Sequence, residues 1–303
     1  MPMRNAAQFV SAAMRSILTQ TERDFEFLVM DDGSDDASLE IANTLADDRT
    51  RIISDGRHLG LVARLNQGLD AATTEFVARM DADDIAAPQR LARQLGYMDA
   101  NPDVTICGSL YTAFRDSRTI WRARLPEDHK RLRALSLFAS PFAHPTVIIR
   151  RAPFDAAGLR YDEAMASAED YDLWERAGAS VKLANIQEAL LSYRLHAGQV
   201  SVTQAARQRA VSDRVRRRAL MRYGIEFDDA QLALQSDIAF QTGMDDPDRA
   251  RAALQWLDRL QADARARGDD AVVAECKDRA HFPRKRLRKA ILRRFRRKLL
   301  PWR

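Results

Sequence analysis

At 303 residues, with 46% hydrophobic and 30% charged side chains, the chain is long enough for one large domain or for a domain with an appendage. Its apolar runs are only a few residues long, far short of the ~20 that cross a bilayer, and no charged-then-apolar leader opens it, so a soluble, cytoplasmic body is expected. The net charge of +5 conceals a polarity: Arg279 to Arg303 holds 12 basic and no acidic side chains, which leaves 36 basic against 43 acidic ones elsewhere.

The first periodic segment is Ala7 to Leu18, where Phe9, Val10, Ala13, Ile17 and Leu18 fall at helical spacing until "TQTERDF" breaks the pattern. "FEFLVM" (Phe25 to Met30) then reads as a buried strand running into "DDGSDD", with Ser34, Asp35 or Asp36 placed to cap the helix "ASLEIANTLA". "RIIS" (Arg51 to Ser54) predicts a second strand, "GLVARLNQGLDAA" (Gly60 to Ala72) a helix, and "EFVARM" a third strand that ends on "DADD". This alternation predicts an α/β fold with a mainly parallel sheet covered on both faces. Ligands of such sheets bind beyond the carboxyl ends of the strands, where both acidic clusters fall. Pro88 to Asp99 predicts a further helix and "VTICGSLYTAF" a further strand. From Thr203 the texture turns to Ala, Arg, Asp and Gln, and a helical annex is expected.

Asp81, Asp83 and Asp84 crowd the end of the third strand, and carboxylates this close repel one another unless a cation sits among them. Residues two apart at a strand end point the same way, so Asp81 and Asp83 can face one site. Their oxygens suit Mg²⁺ or Mn²⁺ held against a substrate's phosphates, and a solvated acidic turn is the plainer alternative. "DDGS" (Asp31 to Ser34) is either a strand-to-helix turn, with Gly33 in a difficult backbone angle, or an acid that binds a nucleotide base or ribose. Glu169, Asp170 and Asp172 in "SAEDYDLWERA" suit the first turn of a helix, and one of them could equally act as a general base. His196 in "SYRLHAGQVS" is a structural histidine or a metal ligand. Cys107 and Cys276 are too few for a disulfide framework and lack metal-ligand spacing.

Taken in order, "MPMRNAAQFVSAAMRSILTQTERDFEFLVMDDGS", "HLGLVARLNQGL", "EFVARMDADDIAAPQRL", "FAHPTVIIRR", "AEDYDLWERA" and "YRLHAGQVS" resemble family 2 of the glycosyltransferases, across about residues 1 to 201. The resemblance implies a Rossmann-like glycosyltransferase A fold over residues 1–202, followed by an annex at 203–282 and a basic tail at 283–303. It implies an inverting, metal-dependent transfer from a nucleotide-sugar donor, a UDP-sugar above others, to a hydroxyl of a glycan or lipid-linked acceptor, in bacterial cell-surface polysaccharide synthesis. By that likeness Asp32 binds the donor's base and Pro2 lines the same pocket. Asp81 and Asp83 form the DxD pair that holds Mg²⁺ or Mn²⁺ on the donor diphosphate, with Asp83 the more direct ligand and His196 a further one. Asp170 is the catalytic base, with Glu169 beside it, while Asn66, His144 and Arg176 match motif positions without an assigned role. Two other classes stay open: a non-catalytic relative acting as a membrane-associated scaffold, and a sugar-phosphate nucleotidyltransferase, for which no Gly-rich, Arg/Lys-containing opening loop is seen.

The family opens with an apolar strand just before the segment that matches "MPMRNA", so the expectation is that Met1 lies inside the gene or that the chain is a fragment, with two strand edges left unpaired. At the other end, "PRKRLRKAILRRFRRKLLPWR" (Pro283 to Arg303) spaces Leu287, Ile291, Phe295 and Leu299 four apart among Arg and Lys, with Trp302 near the end. That pattern predicts a helix lying in an anionic membrane surface, peripheral on the inner face of the plasma membrane. A nucleic-acid contact and a solvated helix are the rival readings.

Overall fold

The computed structural model describes residues 1–199 and 203–299, with side chains through Ala290. The chain divides into two compact units, Met1–Leu132 with Ser140–Gln208, and Arg133–Ala139 with the residues from Arg209 onward.

In the first unit, β1 (Pro2–Met3), β2 (Phe27–Asp31) and β3 (Thr50–Ile53) form a parallel sheet in the order β1-β2-β3. β2 is buried along nearly its whole length, which its almost unbroken apolar run requires of a parallel strand covered on both faces. Helices α1 (Val10–Leu18), α2 (Ser38–Leu45) and α3 (Leu61–Ala71) connect and cover these strands. On α1 the residues Val10, Ala13, Met14 and Ile17 make one buried stripe, and they share a core with Val29 and Ala42. The start of α2 is held by Asp36, whose carboxylate accepts from the Ser38 N–H at 2.9 Å.

The second sheet departs from the expected parallel order. β4 (Phe76–Ala78), β5 (Ile85–Ala86), β6 (Val104–Arg115), β8 (Ile148–Arg150) and β9 (Lys182–Arg194) lie in the order β4-β8-β6-β9-β5, with β7 (Arg118–Arg122) paired to β6. Among these pairs only β6 and β9 run parallel. The cause is local at β7: Asp116 and Ser117 both take positive φ, 46° and 64°, so a two-residue turn folds the chain straight back where a crossover would be needed for a parallel strand. Helices α4 (Arg90–Ala100), α5 (His129–Ser136), α6 (Arg151–Ala156) and α7 (Glu169–Ala177) complete the unit, α5 running on into the second one.

β1 pairs with β2 only at Pro2↔Met30 and Met3↔Asp31. The rest of that edge of β2, together with β4, borders a cavity of about 740 Å³ lined by Leu28, Leu65, Leu69, Val77 and Ile149. The Met1 α-amino group donates to the Leu28 carbonyl at 2.7 Å, and burial lowers its pKa to about 5. Gly68 of α3 lines the same cavity, and a Cβ there would meet only the Met30 side chain, at 3.6 Å. Gly68→Ala is therefore expected to stabilise the chain by about 0.5–1 kcal/mol, read as a higher urea midpoint at unchanged slope, because it removes a helix-interior glycine and adds contact without overpacking.

In the second unit, α8 (Ala205–Tyr223), α9 (Asp229–Phe240), α10 (Pro247–Ala266) and α11 (Asp270–Leu299) enclose a core of Phe138, Leu220, Trp256, Leu257, Leu260 and Cys276. Asp228 and Gln231 form a reciprocal cap on α9, and Asp246 caps α10 ahead of Pro247. Leu287, the first member of the tail's apolar stripe, packs against this core. The side chains of Ile291, Phe295 and Leu299 lie outside the described ones, and Trp302 outside the described residues. Among the described residues no helix is long and apolar enough to cross a membrane.

Candidate active site

β4 ends at Ala78, and the turn that follows carries Asp81, Asp83 and Asp84, whose carboxylate oxygens lie within 4.8 Å of one another. Asp83 meets His196 Nε2 at 2.9 Å, and its backbone carbonyl accepts from Arg194 Nε at 2.8 Å. Asp84 is fully buried: one oxygen accepts from the Arg194 N–H at 2.9 Å and the other, Oδ2, has no partner. Burial, and then the charges of Asp81 and Asp83, push the Asp84 pKa well up. Burial likewise raises Asp81, against the pull of its ion pair with Arg79. Three hard oxygen donors that repel one another, one of them an orphaned buried oxygen, fit a divalent cation of the Mg²⁺ or Mn²⁺ type.

The second group sits at the start of α7. Ser167 has φ +84°, a costly conformation for a residue with a side chain, and its N–H donates to Glu169 Oε2 at 2.8 Å. Glu169 is buried, and burial together with the neighbouring Asp170 charge pushes its pKa up to about 7. Asp170 is half-buried and accepts from the Ser140 hydroxyl at 3.2 Å. Burial raises its pKa as well, while the Tyr171 N–H, the Arg79 charge and Ser140 act against that rise.

Arg79 is a residue that sequence reasoning missed, and its charge acts on both groups. Its buried guanidinium pairs with Asp81, its charge lowers the pKa of both Glu169 and Asp170, and its Nε has no partner. Arg194 was missed too: its guanidinium stacks 4.9 Å from the Phe9 ring centroid and 4.7 Å from that of Phe114, which aims Nε at the Asp83 carbonyl. Each lies two positions ahead of a residue singled out from the sequence, Asp81 and His196 respectively, and that proximity was the available signal.

The remaining candidates divide by role. Asp32 is engaged within the chain: its carboxylate accepts from His58 Nδ1 and Leu59 N–H at 2.7 Å and from Gly60 N–H and Arg64 Nε at 3.1 Å. Burial favours its neutral form, and these bonds overcome that and hold its pKa below the usual range. Gly60, at φ 93°, lets the backbone fold over that carboxylate at the head of α3. Pro2 is in β1, opposite Met30.

Asn66, His144 and Arg176 converge on Arg160 and Tyr161. Asn66 exchanges two hydrogen bonds with the Tyr161 backbone, at 2.9 and 3.0 Å, and His144 Nε2 meets the Tyr161 hydroxyl at 2.8 Å. Arg176 donates to the Arg160 carbonyl at 2.6 Å while paired with Asp172. Burial, then the Arg79 charge, drives the His144 pKa well down, so it serves as a neutral imidazole. These three fix the segment ahead of α7, and through it the setting of Glu169 and Asp170.

An α/β unit with acidic clusters at the ends of its strands has the fold of the glycosyltransferase A enzymes. TarS of S. aureus (residues 1–349, solved with UDP-GlcNAc) superposes with a TM-score of 0.61 at 18% identity, covering 94% of this chain and 86% of that one. The family description "Glycosyl transferase family 2" matches residues 1–158, and the chain belongs to that family. An uncharacterised glycosyltransferase of Haemophilus influenzae is 31% identical over 72% of this chain and 71% of its own. The O-antigen biosynthesis glycosyltransferase WbnJ of Escherichia coli is 29% identical over 62% of this chain and 75% of its own.

Proposed function

We propose that the chain is an inverting, metal-dependent glycosyltransferase that moves a sugar from a nucleotide-sugar donor to a hydroxyl of a glycan or lipid-linked acceptor, in cell-surface polysaccharide synthesis. The observation that carries this reading is the cluster after β4, in which oxygens of Asp81, Asp83 and Asp84 lie within 4.8 Å of one another and Asp84 Oδ2 is buried without a partner, in a chain that also places Glu169 and Asp170 at the start of α7. Transfer of this kind needs both sets of groups in one place, one to handle the departing diphosphate and one to take a proton from the incoming hydroxyl.

Asp81 and Asp83, with His196 beside Asp83, would hold Mg²⁺ or Mn²⁺, and the unpartnered Asp84 Oδ2 offers a third oxygen. When bound, the cation neutralises charge on the leaving nucleoside diphosphate as a Lewis acid. Asp170 accepts the proton of the acceptor hydroxyl; its raised pKa makes it a stronger base once ionised, and Ser140 orients it. Glu169 shares the local charge with it. Attack on the face opposite the leaving group inverts the anomeric centre in one displacement. Pro2 and Asp32 line the donor's base pocket, in which Asp32 acts by fixing the turn from His58 to Gly60. The UDP-GlcNAc bound by TarS, which shares the fold, favours a UDP-sugar as donor.

The catalytic work is assigned to residues 1–202, with 203–282 as the annex. The 283–303 tail, in which Arg284, Lys285, Arg288 and Lys289 are exposed, is assigned to an anionic membrane on the cytoplasmic side. Screening nucleotide sugars for divalent-metal-dependent release of nucleoside diphosphate tests the reading. Release from one donor in Mn²⁺ or Mg²⁺ is expected, and silence across UDP- and GDP-sugars in both metals would overturn it.

A further inference from the structure

We infer that the β6–β7 hairpin is a docking arm that seats the acidic site against an anionic lipid surface. The arm is built around its turn. Asp116 and Ser117 close it tightly, and the register passes from Ala113↔Trp121 to Phe114↔Thr119, so that Ile120 is bulged out of the ladder. Ile120 and Trp121 are 52% and 46% exposed, two large apolar side chains on a strand with no buried residue, the Trp121 indole being hydrogen-bonded to the Tyr111 hydroxyl.

Around them stand Arg115, Arg118, Arg122 and Arg124, all exposed, against the single acid Asp116 of the turn. None of these four takes part in an ion pair among the described residues. Of the other surface arginines of the same unit, Arg57 and Arg160 pair with Asp55 and Asp155 at 2.7 Å, while Arg4 and Arg15 stand singly, so what sets the hairpin apart is four unpaired arginines together. The arm therefore keeps its positive charge for an external anion. Its chemistry selects the occupant. Clustered arginines and a bulge guard an edge against pairing with another strand, which argues against a protein partner added to the sheet. Arginines set around an isoleucine and a tryptophan fit the boundary between anionic headgroups and acyl chains.

The turn end of the arm lies at the site. Phe114, next to Arg115, carries the Arg194 guanidinium that donates to the Asp83 carbonyl, so a surface held by the hairpin lies beside the acidic cluster. The use of such an arm, to meet a lipid-linked acceptor, rests on the sugar-transfer reading, whereas its test reads lipid contact alone.

Both native thiols, Cys107 and Cys276, are buried. An environment-sensitive thiol dye therefore reports on the hairpin in Thr119→Cys and on a reference surface in Glu40→Cys, both made in the full chain. With vesicles containing phosphatidylglycerol the dye at 119 is expected to shift to the blue, with no shift on phosphatidylcholine alone and none at position 40. Arg118→Glu with Arg122→Glu, and separately Ile120→Ser with Trp121→Ser, should each weaken partitioning at least about tenfold while leaving metal-dependent donor cleavage in solution unchanged. Three results would overturn the proposal: no sedimentation with anionic vesicles, sedimentation with the dye at 119 still in water, which assigns binding to another surface such as the tail, or a response to RNA or acidic polysaccharide but not to vesicles.

Discussion

Asp170→Asn is expected to lower sugar transfer by about 10³-fold while donor binding persists, because the substitution removes the proton acceptor but keeps a side chain of the same size on the Ser140 hydroxyl. Full turnover in this variant would remove Asp170 as the base. The pH profile provides a second check. A base must be ionised to act, so activity falls as pH drops through its pKa. Burial raises Asp170 above the ordinary carboxylate range, and its neighbour Glu169 is lifted to about 7. The acidic limb of the rate is thus expected above the ordinary carboxylate range and not near pH 4. The Arg79 charge pulls both carboxyls down, so Arg79→Met should move that limb to higher pH, by about one unit for loss of one nearby opposite charge. A limb that stays in place would show that Arg79 does not couple to the base.

The sequence exposes the parts of this site that depend on neighbours along the chain. Asp81, Asp83 and Asp84 follow an apolar strand, and Glu169 and Asp170 open a helix with an apolar face, so spacing alone brings them to view. What spacing cannot reveal is a partner brought in by the fold. Arg79 reads as one more residue of a strand, yet burial pairs it with Asp81 and brings its charge to bear on Glu169 and Asp170. Asn66, His144 and Arg176 lie far apart in the chain, and their common purpose becomes visible only when each reaches Arg160 or Tyr161.

The same limit explains the second sheet. Alternating strands and helices predict parallel pairing, and β1 to β3 obey. The β6–β7 turn, Asp116-Ser117, lacks the Asn-Gly or Asp-Gly signature of a tight hairpin, so the short β-branched and aromatic run "RTIWR" has no turn signal to mark it as a returning strand. Its missing buried face is what conceals it as a strand, and is also what leaves Ile120 and Trp121 in water.

Metal removal should have the other large effect. Excess chelator is expected to reduce transfer to background and added Mn²⁺ or Mg²⁺ to restore it, since loss of Lewis-acid assistance is worth several kcal/mol, about 10³-fold or more. The substitution that tests the protein side of this cleanly is Asp83→Ala. Asp83 is partly exposed, with 27% of its side chain open, and its contact with Arg194 runs through the backbone carbonyl, which alanine retains. Asp81→Ala would instead strand the buried Arg79 without its carboxylate, a loss of about 3–5 kcal/mol in stability that would blur any effect on rate. Asp83→Ala should accordingly keep the wild-type unfolding free energy in urea to within about 0.5 kcal/mol, and yet lose transfer that no concentration of Mn²⁺ restores. Transfer at undiminished speed in chelator, or an Asp83→Ala enzyme of wild-type rate, would leave the carboxylates after β4 without a catalytic purpose.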